Sequence, residues 1–367
     1  RLGMSKAAEL ANLIGNINAG GGGVNRNIII NGAMNVAQRG PSATGKGDAD
    51  GYFTCDRWHI DVGDTSAGRF TMSQDSSAPD GFANSLKIAT TTADTSIAAG
   101  EKLVLQTKIE GQNAQTFAKG TSSAKPMALS FYVKGNASAT YVAEIFDSNN
   151  RQCSKTFNVT TDWTRVELTY PADTTGTLAD DNATGLFINF HLHGGSNFTS
   201  GTLNSSGFAS NTNANRAVGI SSIYDSTSRT FFLTGVQLEV GQNCTEFEHK
   251  NFAQDLHECE RYFQKWDLET AVGAGLWFDD NQVLGHLELR QNMCNEPTMS
   301  VSSADFVKGY LAGGASDAND SSSPFDLLTT ISCRFNLTMV STGTNGQGCL
   351  IQMKASEYIY ADAEVGT

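Results

Sequence analysis

Apolar positions follow two different periods along this chain. Over residues 4–18 they recur at helical spacing: Met4, Ala7, Ala8, Leu10, Ala11, Leu13, Ile14 and Ile17 form one broad stripe. A lone helix of about four turns is marginal in water, so this one needs a partner surface. Gly20 to Gly23 form a joint that would let it swing to find one. From Asn27 the period changes to two. "NIIINGAMNVAQRG" sets Ile28 and Ile30 on one face ahead of an Asn31-Gly32 turn. Strand-like segments then recur at 58–62, 69–73, 85–89, 102–109, 128–134, 141–146, 154–159, 164–170, 185–193, 219–224 and 230–240.

Several of these segments alternate cleanly. "LFINFHLH" would turn Leu186, Ile188, Phe190 and Leu192 to a core, and "TRVELTY" would turn Val166, Leu168 and Tyr170. Many short strands, Gly/Asn/Asp/Ser turns and no long helix predict an all-β chain, an antiparallel jelly-roll β-sandwich. Residues 251–266 break the pattern. Phe252, Leu256, Cys259, Phe263 and Trp266 are spaced 4, 3, 4, 3, which is a heptad seam. They predict a short helix linking two β-domains in an oligomer; an amphipathic helix packed on its own sandwich gives the same spacing. Strands return at 275–278, 285–289, 298–301, 330–340, 348–353 and 358–364, around a solvated loop at 313–324. The expected organisation is an N-terminal anchor helix with its glycine hinge at 1–26, a jelly-roll sandwich at 27–250, the linking helix at 251–266, and a second, smaller β-sandwich at 267–367.

Composition narrows the function classes. Only 17% of the 367 residues are charged, against a usual ~25%; Ser, Thr, Asn and Gly take their place, as suits strands with polar faces. The net charge of −13 repels phosphate backbones and anionic lipid, so no nucleic-acid partner is expected. No apolar run approaches the roughly 20 residues that span a bilayer, so no membrane insertion is expected either. No charged-then-apolar signal segment opens the chain. The seven cysteines, Cys55, Cys153, Cys244, Cys259, Cys294, Cys333 and Cys349, are odd in number and include no Cys-x-x-Cys pair. They suggest neither a disulfide framework nor zinc, but small buried thiols in a protein made in reducing cytoplasm.

Candidate chemistry is sparse, and no catalytic residue, metal ligand or cofactor is expected. The nucleophile, zinc-protease, phosphate-loop and dinucleotide motifs are absent. His191 and His193 share one strand face, a spacing that can place two imidazoles on a metal, yet no third ligand is visible. Asp48 and Asp50 in "GDADG" carry a fragment of calcium-loop logic, but the full Asp-x-Asp-x-Asp-Gly spacing is absent and a turn is the better reading. Asp180-Asp181 and Asp279-Asp280 could supply carboxylates for glycoside hydrolysis, which needs two held roughly 5–10 Å apart across a cleft. Trp163, Trp277, Tyr52 and Tyr224 could each offer a flat face to a sugar ring, or simply pack. No ligand-binding residue follows from these patterns.

A resemblance adds to this reading. "NIIINGAMNVAQRG" followed by "CDRW" at 55–58 resembles the start of a domain found in bacteriophage tail-fibre and related virion proteins. "DWTRVELTY" and "FFLTGVQLEVGQNCTEFEH" resemble its later strands, which are similar to those of jelly-roll carbohydrate-binding modules. "ECERYFQKW" resembles the helix that follows, "EPTMSVSS" and "EYIYADAEV" resemble a small terminal β-domain, and "SKAAELANLIG" resembles the N-termini of structural proteins from marine phages. The resemblance implies a homotrimer on the virion, bound to other virion proteins through its N-terminus and to a host cell-surface glycan or receptor. Leu10, Leu13, Ile14 and Ile17 would form the virion anchor, and Phe252, Leu256, Cys259, Phe263 and Trp266 the oligomer seam. It transfers no catalytic residue. A purely structural decoration or connector protein, or a capsule depolymerase, are the competing readings.

Overall fold

The computed structural model describes residues 5–18, 25–64, 66–267, 269–311, 314–319, 324–341 and 343–365. The first element is a helix, Lys6–Asn18. The hydroxyl of Ser5 accepts the amide of Ala8, satisfying one of its open N-terminal donors. Leu10 and Ile14 are exposed and Leu13 is half-buried. The side chain of Ile17 and the Gly20–Gly23 joint lie outside the described residues.

The chain divides into two compact units between Asp255 and Leu256. The first is a sandwich of two antiparallel sheets. One runs, edge to edge, Ser42–Lys46, Arg69–Asp75, Ser85–Thr92, Thr230–Val240, Met127–Gly135 and Thr164–Tyr170; the other runs Ala209–Ser210, Arg151–Val159, Ala139–Asp147, Thr184–Gly194, Lys102–Glu110, His59–Gly63 and Gly51–Tyr52. Successive strands often change sheet, as a jelly roll requires. Period-two alternation drives the packing: Leu186, Ile188, Phe190 and Leu192 of one strand are all fully buried, as their pattern predicts. Phe131 from one sheet meets Phe157 and Phe190 from the other edge-on, each at 5.0 Å between ring centres. That geometry suits aromatic quadrupoles and adds about 0.5–1.5 kcal/mol per pair beyond burial.

The opening motif folds differently from its period. Residues 27–40 form turns and extended backbone rather than a strand, and Ile29 is the buried isoleucine, with Ile28 and Ile30 only half-buried. Asn31 is the reason. It sits at φ 55°, and its side chain donates to the carbonyls of Val36 and Asp56 while accepting the amide of Val36. Trp58 donates its indole N–H to the Asn31 carbonyl. Gly32 passes so close to Val236 that a Cβ there would lie 2.2 Å from the Val236 carbonyl oxygen. Asp56 and Arg57 are 1% exposed. Asn31, Gly32 and Trp58 are thus structural fasteners.

The linking helix is shorter than its heptad spacing predicts. It runs Phe252–Glu260 and gives way to a strand, Phe263–Trp266, which pairs antiparallel with Ile359–Asp362. β-propensity and the open pairing edge of Ile359–Asp362 outweigh the last half-turn of helix, so Phe263 and Trp266 do not extend a helical stripe. The segment 219–224 is loop, not strand, and Gly314–Asp317, inside the expected loop, is a strand paired with Val307–Leu311. The second unit holds a three-stranded sheet, Phe263–Trp266, Ile359–Asp362 and Thr298–Val301, and a seven-stranded one. The latter runs Gly314–Asp317, Val307–Leu311, Gly348–Met353, Ala271–Asp279, Gln282–Glu288, Ser332–Thr338 and Phe325–Asp326.

Candidate functional site

The alternation that sends Leu103, Leu105, Ile109, Ala143, Ile145 and the Leu186 series into the sandwich core sends their neighbours to the outer face of the same sheet. Strand register then lines those neighbours up. His59 lies opposite Gln106, Gln106 opposite Asn189, Asn189 opposite Glu144, and Glu144 opposite Ser154. One step along the strands, Lys108 lies opposite Phe187 and Phe187 opposite Phe146. The result is a polar row beside an aromatic pair, crossing five strands.

The polar row is internally bonded. Gln106 donates its side-chain amide to Asn189 at 2.7 Å, and Asn189 donates to Glu144 at 2.8 Å. Arg216, from the irregular segment after Thr184–Gly194, donates to both Glu144 oxygens, at 2.9 and 2.6 Å, and its guanidinium lies 4.9 Å from the Phe146 ring centre. Burial alone would raise the pKa of Glu144. Arg216 and His191, which is 3.1 Å away, outweigh it and hold the carboxyl well below the usual carboxylate range. Burial, aided by Lys108, pulls His59 down to about 4, so its imidazole is neutral at neutral pH. Its ring rests on Tyr52 at 4.7 Å, and its Nδ1 is buried without a hydrogen-bond partner.

These groups line an open depression of about 280 Å³, edged by Asp50, His59, Asp61, Gln106, Lys108, Phe146, Phe187, Asn189 and Arg216. Donors and acceptors of both signs stand around two aromatic side chains. That combination places hydrogen-bonding groups and apolar ring faces side by side.

The residues singled out by sequence fall in several places. His191 and His193 do lie on the outer face, but each is spent on a carboxylate, His191 on Glu144 and His193 on Glu101 at 3.1 Å, with Ser222 at 2.8 Å on its other nitrogen. Among the described residues no group of three metal-binding side chains converges. Asp50 edges the groove, with one oxygen accepting the Val62 amide. Asp48 stays in its exposed turn, Asp181 caps the Ala183 amide, and Asp279 accepts the amide of Asp280. Trp277 and Tyr224 are buried and offer no platform; Trp163 packs on Phe232, and Tyr52 underlies His59 at the groove's edge. All seven cysteines are buried and none is in a disulfide, and burial pushes the Cys55, Cys244 and Cys333 thiols up to about 12. Of the anticipated seam, Phe252 is exposed and Leu256 half-buried, while Cys259, Phe263 and Trp266 are buried. Sequence reading missed His59, Gln106, Lys108, Asn189, Glu144 and Arg216. Apart from Arg216, which lies in an irregular segment, their one local signal was a polar residue facing outward between core positions of a strand, as in the "KLVLQTKIE" and "TGLFINFHLHG" segments.

No protein-family model and no curated protein matches the chain. Solved structures that it resembles include a family 4 carbohydrate-binding module (14% identity over 50% of this chain and 86% of that one, TM-score 0.26). A family 30 carbohydrate-binding module is similar at 11% identity over 62% of this chain and 94% of that one, TM-score 0.31. The enzymatically active domain of tailspike protein 4 from bacteriophage CBA120 is similar at 11% identity over 59% of this chain, TM-score 0.30; the chain spans about a fifth (21%) of that tailspike's length. Likenesses this loose carry no argument about ligand or activity. What the sheet orders themselves define is an antiparallel two-sheet sandwich with a polar, aromatic-edged groove on one outer face.

Proposed function

We propose that this chain is a bacteriophage virion structural protein: a trimeric tail fibre, assembled in the host cytoplasm, that joins the virion by its N-terminus and holds a host-surface glycan in the groove. The carrying observation is the cross-strand row His59–Gln106–Asn189–Glu144 beside Phe187 and Phe146. Buried polar groups that are bonded to one another, with one imidazole nitrogen left over, make a pre-organised surface for hydroxyls. The role is binding, without catalysis. Glu144, buried beside the groove, is held as an anion by Arg216 and so is no proton donor to a leaving group. The exposed Leu10 and Ile14 of the N-terminal helix support attachment through that element.

The test is retention of the full chain on host surface polysaccharide. Gln106→Ala with Phe187→Ala should weaken retention at least tenfold, about 1.4 kcal/mol, with the far-ultraviolet spectrum unchanged. Undiminished binding by that variant would sink the assignment of the groove. Release of reducing ends from the polysaccharide would replace binding with depolymerisation.

A further inference from the structure

We infer that the open face of the second unit's seven-stranded sheet is where copies of this chain meet. Strand register defines the face. Tyr310 lies opposite Leu350, Leu350 opposite Ala274, and Leu276 opposite Leu284; alternation adds Phe278 beside Leu276. Leu276 and Leu350 are 45% exposed, Tyr310 40% and Phe278 60%. Their neighbours on the other side of the sheet, Trp277, Cys349 and Ile351, are buried. The stripe is therefore not a fraying edge but an apolar band across the outward face of a well-packed sheet.

Size and chemistry fit an interface. Five central strands at about 4.8 Å spacing, over about seven residues of 3.3 Å, present roughly 550 Å² before side-chain relief is counted. A specific interface takes about 800 Å² from each partner, with an apolar centre and a polar rim. Here the centre is Leu276, Leu284, Tyr310 and Leu350, and Lys308, Gln352, His286 and Arg334 stand at its margins. Exposed apolar side chains rimmed by polar ones are the pattern that marks an interaction surface.

The occupant is a second copy. The stripe offers no charge with which to select a basic or acidic partner. A chain of net charge −13 can approach its own copy most cheaply across an uncharged centre. A like face brings the same flat apolar relief, so copies can turn these faces toward a common symmetry axis. Within the unit, among the described residues, the other sheet has only three strands and so supplies no second large layer. Three of the five seam positions, Cys259, Phe263 and Trp266, are already buried. The inference rests on the multi-copy reading proposed above and gives it a surface.

Sedimentation equilibrium of the full chain tests it. The wild type should sediment as a multiple of 39.1 kDa. Leu276→Thr with Leu350→Thr, which keeps β-propensity, should fall to the single-chain mass with an unchanged far-ultraviolet spectrum, and Leu256→Asp should stay assembled. If the double variant loses its strand spectrum, Tyr310→Lys probes the same face by charge and should likewise dissociate it. A folded variant of this face that remains assembled overturns the inference and leaves the multi-copy reading intact. A wild type that sediments as one chain overturns both, as does one that gains mass only when another virion protein is added.

Discussion

The two units make opposite use of a seven-stranded sheet. In the first, the outer face carries a bonded polar row, and the exposed large apolar side chains of the whole unit, among the described residues, are Leu10, Ile14, Ile97 and Phe252, two of them on the N-terminal helix. In the second, Leu276, Phe278, Tyr310, Leu327, Ile331, Val340 and Leu350 are all exposed, although that unit is less than half as long. Both sheets satisfy the same alternation on their inner faces. The difference lies in the outward positions, which polar residues close off in one case and apolar residues leave unfinished in the other. A face with Gln, Asn and Glu bonded among themselves is complete in water and can take a soluble ligand; a face of Leu and Tyr is complete only against protein.

The largest effect that would sharpen this contrast is in the sandwich core. Phe190→Ala, at a fully buried position touching Phe131 and Phe157, should cost about 3–5 kcal/mol and lower the midpoint of urea unfolding of the first unit. The equivalent truncation on the open face, Leu276→Ala, should leave unfolding within about 0.5 kcal/mol while changing the mass in solution. Equal losses at both positions would erase the distinction between a closed and an open face.

Next is Arg216→Ala. It strands the buried Glu144 charge, and breaking such a pair costs about 3–5 kcal/mol. The sign with pH follows from the depressed carboxyl. Its stabilisation is fully present above the ordinary carboxylate pKa of about 4.3 and is lost as acid carries the solution below that, so the variant should lose less stability than the wild type on acidification. Parallel acid limbs would show that Glu144 is not held by Arg216.

His59 gives a smaller, separate window. Its folded-state value of about 4 lies below the unfolded value of about 6.5, so the neutral ring stabilises the fold above pH 6.5 and that contribution fades as pH falls toward 4. His59→Gln should flatten stability over this interval, by roughly 2–3 kcal/mol at its acidic end, measured by urea unfolding at stepped pH. A slope that persists in the variant would assign the effect to another group.

The smallest effect on stability belongs to the N-terminal helix. Leu10→Asp with Ile14→Asp, both exposed, should change unfolding by no more than about 0.5 kcal/mol yet prevent incorporation into virions, read by immunoblot of purified particles. Normal incorporation would remove the helix from the attachment role.

What was legible in the chain is what local physics governs. The strands at 102–110, 127–135, 164–170, 184–194 and 230–240 followed from alternation, because burying one face of a pleated strand requires apolar residues at every second position. The N-terminal helix followed from a 3.6-residue stripe. At residues 27–36 the same rule failed, because Asn31's bonds to Val36 and Asp56 reverse which isoleucine is buried. It failed again at 263–266, where pairing with Ile359–Asp362, about a hundred residues away in sequence, turned an apparent heptad into a strand.

The groove and the open face were decided by tertiary structure alone. His59, Gln106, Asn189 and Glu144 are dispersed over more than a hundred residues and meet because strand register sets them in one row; Tyr310, Leu350 and Leu276 meet for the same reason. A sequence states the period of each strand, since that period is a property of one backbone. It does not state the register, since register is a free-energy balance struck between strands that are far apart in the chain.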